Sequence, residues 1–93
     1  MMNSPPEVIL DKSAAGVEAE VWTCGILLYV LIFNKHPFQN EEEIVHQEFI
    51  TPFDVSASCF ELLSMMLHKS PKKRCTILQI LFHPWMRSVD EQF

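Results

Sequence analysis

Four histidines, His36, His46, His68 and His83, and three cysteines, Cys24, Cys59 and Cys75, are the side chains of this chain best suited to grip a transition metal. Zinc sites draw their ligands in close pairs, such as CxxC or HExxH, because two ligands must come from one turn or one helix face. No such pair occurs, and no metal site is expected. Three is also an odd number of cysteines without CxxC spacing, which fits reduced thiols better than a disulfide framework. Phosphate chemistry needs a glycine-rich loop whose backbone N–H groups can approach the oxygens. The only glycines are Gly16 and Gly25, nine positions apart, so no cradle of that kind can be written.

The charge balance narrows the partners. A net charge of −5 argues against nucleic acid or an anionic membrane as principal partner, and the single basic run, Lys72-Lys73-Arg74, is too short to track phosphates. The longest apolar stretch, Val21 to Phe33, is several residues short of the roughly 20 needed to cross a bilayer. It reads as a core helix. No basic segment followed by an apolar run marks a signal peptide, so the cytoplasm is the expected compartment, with the nucleus as alternative. Ninety-three residues make one domain, expected over 1–93, and a chain this short buries only about 60 to 65% of its unfolded surface.

The elements that must position these residues are helical. Ser4-Pro5-Pro6 resembles a helix start, where proline's missing N–H costs nothing, and predicts a short helix to about Leu10. After the small and polar link 11–16, the pattern is apolar nearly all round from Val17 to Phe33, which implies burial on all sides. Asn40 with Glu43 predicts a cap for a helix over 41–48, with Glu41, Glu42 and Glu43 at its positive end. Thr51-Pro52 breaks the pattern. Ser58 with Glu61 forms a capping box in sequence, Ser56 being an equal candidate for the cap, and Phe60, Leu63, Met66 and Leu67 then recur on one face. Thr76 with Gln79 opens a last helix that Pro84 ends, His83 being held extended by the proline. Trp22, Trp85, Phe38, Phe60 and Phe82 read as packing. No segment has strand periodicity, and the architecture predicted is all-α, about five helices.

Set in order along the chain, Ser4-Pro5-Pro6-Glu7, the stretch EAEVWTCGILLY from Glu18, His36-Pro37-Phe38, Ser70-Pro71-Lys72-Lys73-Arg74 and His83-Pro84-Trp85 resemble the last third of a protein kinase domain. The resemblance covers nearly the whole chain and implies a partial C-lobe, from the end of the activation segment to the last helix. SPPE at 4–7, GILLY at 25–29, EEI at 42–44, the Val55 to Cys59 pattern and HPWM at 83–86 are most similar to the Pim type of serine/threonine kinase. In that family the phosphate-binding loop, the catalytic aspartate and the metal-binding aspartate all precede the point at which this sequence starts, and no HRD or DFG triplet occurs in it. The chain alone is therefore expected to be inactive, while a full-length parent would use ATP and magnesium. Met1-Met2 lead straight into the SPPE motif, with Asn3 where the family has tyrosine, which favours a truncated copy over the alternative of a free-standing helical interaction module. Expected partners are proteins: a substrate, the remainder of a kinase domain, or a second copy through exposed apolar surface.

The resemblance also assigns residues. It implies a buried ion pair between Glu7 and Arg74, against the plainer reading of two solvated charges. Glu20, Trp22 and Gly25 mark the central helix. Glu20 stands where most kinases place an aspartate that anchors the catalytic loop, although a first-turn acid favoured by the helix dipole accounts for it equally. Val30 and Lys35 occupy positions at which Pim kinases carry carboxylates that hold substrate arginines, so a loss of arginine selectivity is implied.

Overall fold

A computed structural model describes residues 3–14 and 16–91, and in it six α-helices and one 3-10 turn are joined by short links. They are α1 (Pro6–Leu10), the 3-10 turn (Lys12–Ala14), α2 (Val17–Phe33), α3 (Glu41–His46), α4 (Ala57–Met66), α5 (Ile77–Leu81) and α6 (Pro84–Glu91). There is no strand among the described residues. The all-helical class expected of a partial C-lobe is the one observed.

The helix ends follow from local chemistry. Pro6 sits in the first turn of α1, where a missing donor removes no hydrogen bond. Asn34 closes α2 with φ 59°, a left-handed position that asparagine tolerates better than most residues, and its N–H donates to the Val30 carbonyl. Asn40 Oδ1 accepts the Glu43 N–H at 2.9 Å, while Glu43 Oε1 accepts from Gln39, one residue before the cap. Thr76 and Gln79 form the reciprocal capping box, with both bonds in place.

The structure decides one open choice of the sequence reading and corrects other details. Ser56, not Ser58, caps α4, its Oγ accepting the Cys59 N–H at 3.1 Å, and the Glu61 carboxylate reaches His83 instead of the helix start. The helix over 41–48 stops at His46, after which the Gln47 N–H closes it on Glu43. Pro84 does not end the last helix. It begins α6, and His83 precedes it as a cap whose Nδ1 accepts the Trp85 N–H at 3.1 Å. Phe60 and Phe82 lie outside the core, at 46% and 70% exposure. On α4 the buried arc runs through Cys59, Leu62, Leu63 and Met66, and Phe60, one residue on from Cys59, points past its edge, its ring centre 5.5 Å from that of Phe49.

The core forms along one side of α2. Trp22 and Ile26 meet Phe38, Ile44 and Leu67; Val21 meets Leu62, Met66 and Cys75; Tyr29 and Phe33 meet Cys59 and Leu63. Gly25 lets α4 approach. A Cβ there would lie 2.8 Å from Leu67 Cδ2 and 2.9 Å from Met66 Cβ, so nothing larger than hydrogen fits without displacement. The Tyr29 hydroxyl donates to the Ile50 carbonyl at 2.6 Å and fastens the irregular segment after α3 to the central helix. The opposite side of α2 is open, with Val17, Leu27 and Leu31 exposed, so its all-round apolarity does not produce burial on all sides. The other helices are too few to enclose it.

Candidate functional site

Arg74 is the most heavily hydrogen-bonded side chain among the described residues. It follows the Pro71–Lys73 turn between α4 and α5 and points back beneath the N-terminal half of α2, with its side chain fully buried. Nη1 donates to Glu7 Oε2 at 2.8 Å and Nη2 to Glu7 Oε1 at 2.9 Å, a bidentate fork across 67 residues of sequence. Nη1 also donates to the Glu18 carbonyl at 2.7 Å, and Nε to the His68 carbonyl at 2.8 Å. A longer contact, 3.5 Å, runs from Nη2 to the Lys69 carbonyl. The five guanidinium hydrogens thus find five acceptors. Glu7 keeps 11% of its side-chain surface exposed.

An aromatic ring flanks this fork. The Arg74 Cζ stands 5.1 Å from the Trp22 ring centre, and Trp22 stacks on Phe38 at 5.8 Å and 11°. Lys69 completes the assembly, its Nζ 4.6 Å from the Phe38 centroid and donating to the Ile44 carbonyl at 2.6 Å. Burial lowers the Lys69 ammonium below its ordinary value, with the Glu48 charge pulling the other way. Trp22 Nε1 has no partner among the described residues. This arrangement ties α1, the start of α2 and the turn before α5 into one unit. The guanidinium donors are all consumed, and the fork holds these segments together.

The remaining predicted residues are spread out. Glu20 is exposed on a shallow groove with Gly16, Ala19, Thr23 and Cys24. Val30 is half-buried against the Trp22 and Ile26 cluster, and Lys35 is exposed. Lys35 shares a groove with Glu43 and Glu48. Cys59 and Cys75 are buried and Cys24 exposed, all three free. Burial raises the Cys59 thiol; it also raises Cys75, against the opposing pull of its own backbone N–H and of Arg74. No three His, Cys, Asp or Glu side chains gather in a metal-binding group among the described residues. No described helix is long and apolar enough to cross a membrane.

A repeated use of histidine escaped the sequence reading. In His36-Pro37-Phe38, His68-Lys69-Ser70 and His83-Pro84-Trp85, Nδ1 of the histidine accepts the backbone N–H two residues on, at 3.1 Å each time. These rings act as asparagine does in an Asx turn. The signal was present in the two His-Pro-aromatic triplets, because proline fixes the middle residue and directs the following N–H back toward the ring.

Residues 3–86 match the protein kinase domain family, and the chain belongs to that family. It is 33% identical over 93 residues to the SNF-related serine/threonine-protein kinase of Rattus norvegicus, an alignment covering 94% of this chain and 12% of that protein. It is 37% identical over 87 residues to the mitosis inducer protein kinase cdr1 of Schizosaccharomyces pombe, covering 87% and 15%. Against CBL-interacting protein kinase 31 of Oryza sativa the figures are 35% over 88 residues, 88% and 20%. The chain thus spans a fifth or less of the length of these relatives. Its helices are a fragment of a serine/threonine protein kinase domain.

Proposed function

We propose that the chain is the helical floor of a Pim-type serine/threonine kinase domain and transfers no phosphate by itself. The bidentate Glu7–Arg74 fork carries this reading: it is a device for holding a substrate-side segment against the central helix, built from residues with no catalytic capacity of their own. The Pim assignment rests on the SPPE, GILLY and HPWM motifs. The residues present do not fit a nucleotide. Gly25 is packed against Leu67 inside the core and Gly16 caps α2, so neither glycine can approach a phosphate as part of a loop. ATP, magnesium and the transfer of a phosphoryl group to a serine or threonine hydroxyl belong to a parent that supplies the missing groups.

Calorimetry of the 93-residue chain with Mg-ATP and a radiolabel transfer assay test the inactive reading, and both are expected to be silent. Label transfer that disappears on mutation within this chain refutes it. The Pim reading predicts that grafting this segment into an active Pim-type kinase lowers its preference for arginine ahead of the phosphorylated residue, with Val30→Asp and Lys35→Asp restoring it. Glu43 and Glu48 beside Lys35 limit the loss, because the local field is mixed instead of positive. A peptide profile unchanged by the graft refutes the assignment of selectivity to these positions.

A further inference from the structure

Of the five lysines, Lys69 is the one that the fold draws inward. Lys12, Lys35, Lys72 and Lys73 are exposed, whereas Lys69, in the link between α4 and α5, is half-buried. Its Nζ stands 4.6 Å from the centre of the Phe38 ring and 5.7 Å from that of Trp22, both of them buried. Its hydrogen-bond acceptor among the described residues is the Ile44 carbonyl, at 2.6 Å. That carbonyl lies in the last turn of α3, where a helix leaves its C=O groups without N–H partners and draws cations. An ammonium has three hydrogens to place, and the rings occupy ground that water would otherwise fill. Two influences therefore oppose each other. The carbonyl, the ring faces and the Glu48 charge favour the ammonium, while loss of water favours the amine; loss of water prevails, and Lys69 is held below its ordinary value.

We propose that Lys69 is a nucleophilic lysine and a site of acyl modification, its Nζ taking an acyl group from a small thioester. A lysine stripped of water by neighbouring side chains gives up its proton sooner than a hydrated one, and the lone pair so exposed is what attacks. The walls that strip it, Phe38, Trp22 and Ile44, all come from this chain. In the step the Nζ lone pair attacks the acyl carbon, the C–N bond forms, the C–S bond breaks, the thiolate leaves, and the nitrogen releases one proton to water. Half-burial limits the donor to a small one. The product is an uncharged amide, which neither the ring faces nor the end of α3 attract as they do an ammonium, so the same step loosens the tie between α3 and the Trp22–Phe38 stack.

The test uses the full chain with Cys24→Ser, which removes the exposed competing thiol, and S-acetyl-N-acetylcysteamine, a small uncharged thioester, at about pH 7.5. Peptide mass spectrometry follows acetylation at each lysine with time. Lys69 should gain acetyl about threefold faster, or more, than each of Lys12, Lys35, Lys72 and Lys73. The preference should vanish in urea at a concentration that unfolds the chain, because the fold creates it. Glu48→Gln, at an exposed position, should raise the Lys69 rate about twofold by removing a charge that holds its proton. Lys69 reacting no faster than the exposed lysines overturns the proposal. So does a preference that survives urea, which belongs to the local sequence and not to the buried setting. A Lys69 rate that Glu48→Gln leaves unchanged or lowers also overturns it, since release of the proton would then not control the amine.

Discussion

Removing either partner of the Glu7–Arg74 fork should unfold much of the molecule, and the size of the effect follows from what is left behind. Arg74→Ala deletes five donor contacts and strands a Glu7 carboxylate that is only 11% exposed. Glu7→Ala leaves a fully buried guanidinium facing carbonyls that neutralise only part of its charge. Breaking a buried pair from one side costs about 3 to 5 kcal/mol. A chain of this length has a total stability of about 5 to 14 kcal/mol, so either variant is expected to lose between a quarter and nearly all of it. Arg74→Lys should fail as well, because an ammonium cannot form a fork with both carboxylate oxygens and reach His68 and Glu18 at the same time. Urea unfolding followed by circular dichroism measures each loss, and unchanged slopes would license the comparison. The double variant Glu7→Ala with Arg74→Ala should lose at least 1 kcal/mol less than the two single losses summed, since the second deletion removes the stranded charge. Lys72→Ala, exposed two residues away, should change stability by no more than about 0.5 kcal/mol. Additivity at positions 7 and 74 within about 0.5 kcal/mol would refute the argument, because two groups that do not interact lose their energies independently.

Gly25→Ala should destabilise by about 1 to 3 kcal/mol through overpacking against Leu67 and Met66, although alanine is the better helix former; a gain in urea midpoint would show that α4 moves away at no cost. Cys24 should react with maleimide in seconds to minutes at pH 7.5, while Cys59 and Cys75, buried and with thiols raised by burial, react only on unfolding; mass spectrometry of the first adduct decides this. With those thiols and the Tyr29 phenol raised in the folded state, the unfolded chain loses protons first, so their support is complete below about pH 8.5 and declines as pH rises through the raised values. Lys69 works in the opposite sense, and the test is therefore a comparison: the alkaline fall in urea midpoint should be shallower in Cys75→Ala. His83→Ala should cost about 1 to 2 kcal/mol by removing the α6 cap and the Glu61 contact, His83→Asn recovering part of it through the same backbone N–H; equal losses in the two variants would mean that the cap contributes nothing.

Sequence by itself determined the helical class, the caps at Asn40 and Thr76, the span of α2 and membership of the kinase fold, because these depend on contacts within a few residues or on motifs read in order. Periodicity and proline placement act locally, and the backbone has little choice once they are set. Where two local options were equal, tertiary structure decided. Glu61 was free to serve Ser58 or His83, and it went to His83 because α6 folds back across α4 and brings a buried ring to it. Pro84 was legible as a helix end, and only the packing of Trp85 and Met86 on the Val21 cluster makes it a beginning. The meeting of Glu7 with Arg74 spans 67 residues, beyond the reach of any local rule, and only the family resemblance implied it. Most of all, apolarity all round α2 stated what the helix could bury, and the number of neighbours available decided what it did bury. One side received α4 and the Trp22 cluster, and on the other Val17, Leu27 and Leu31 stay exposed.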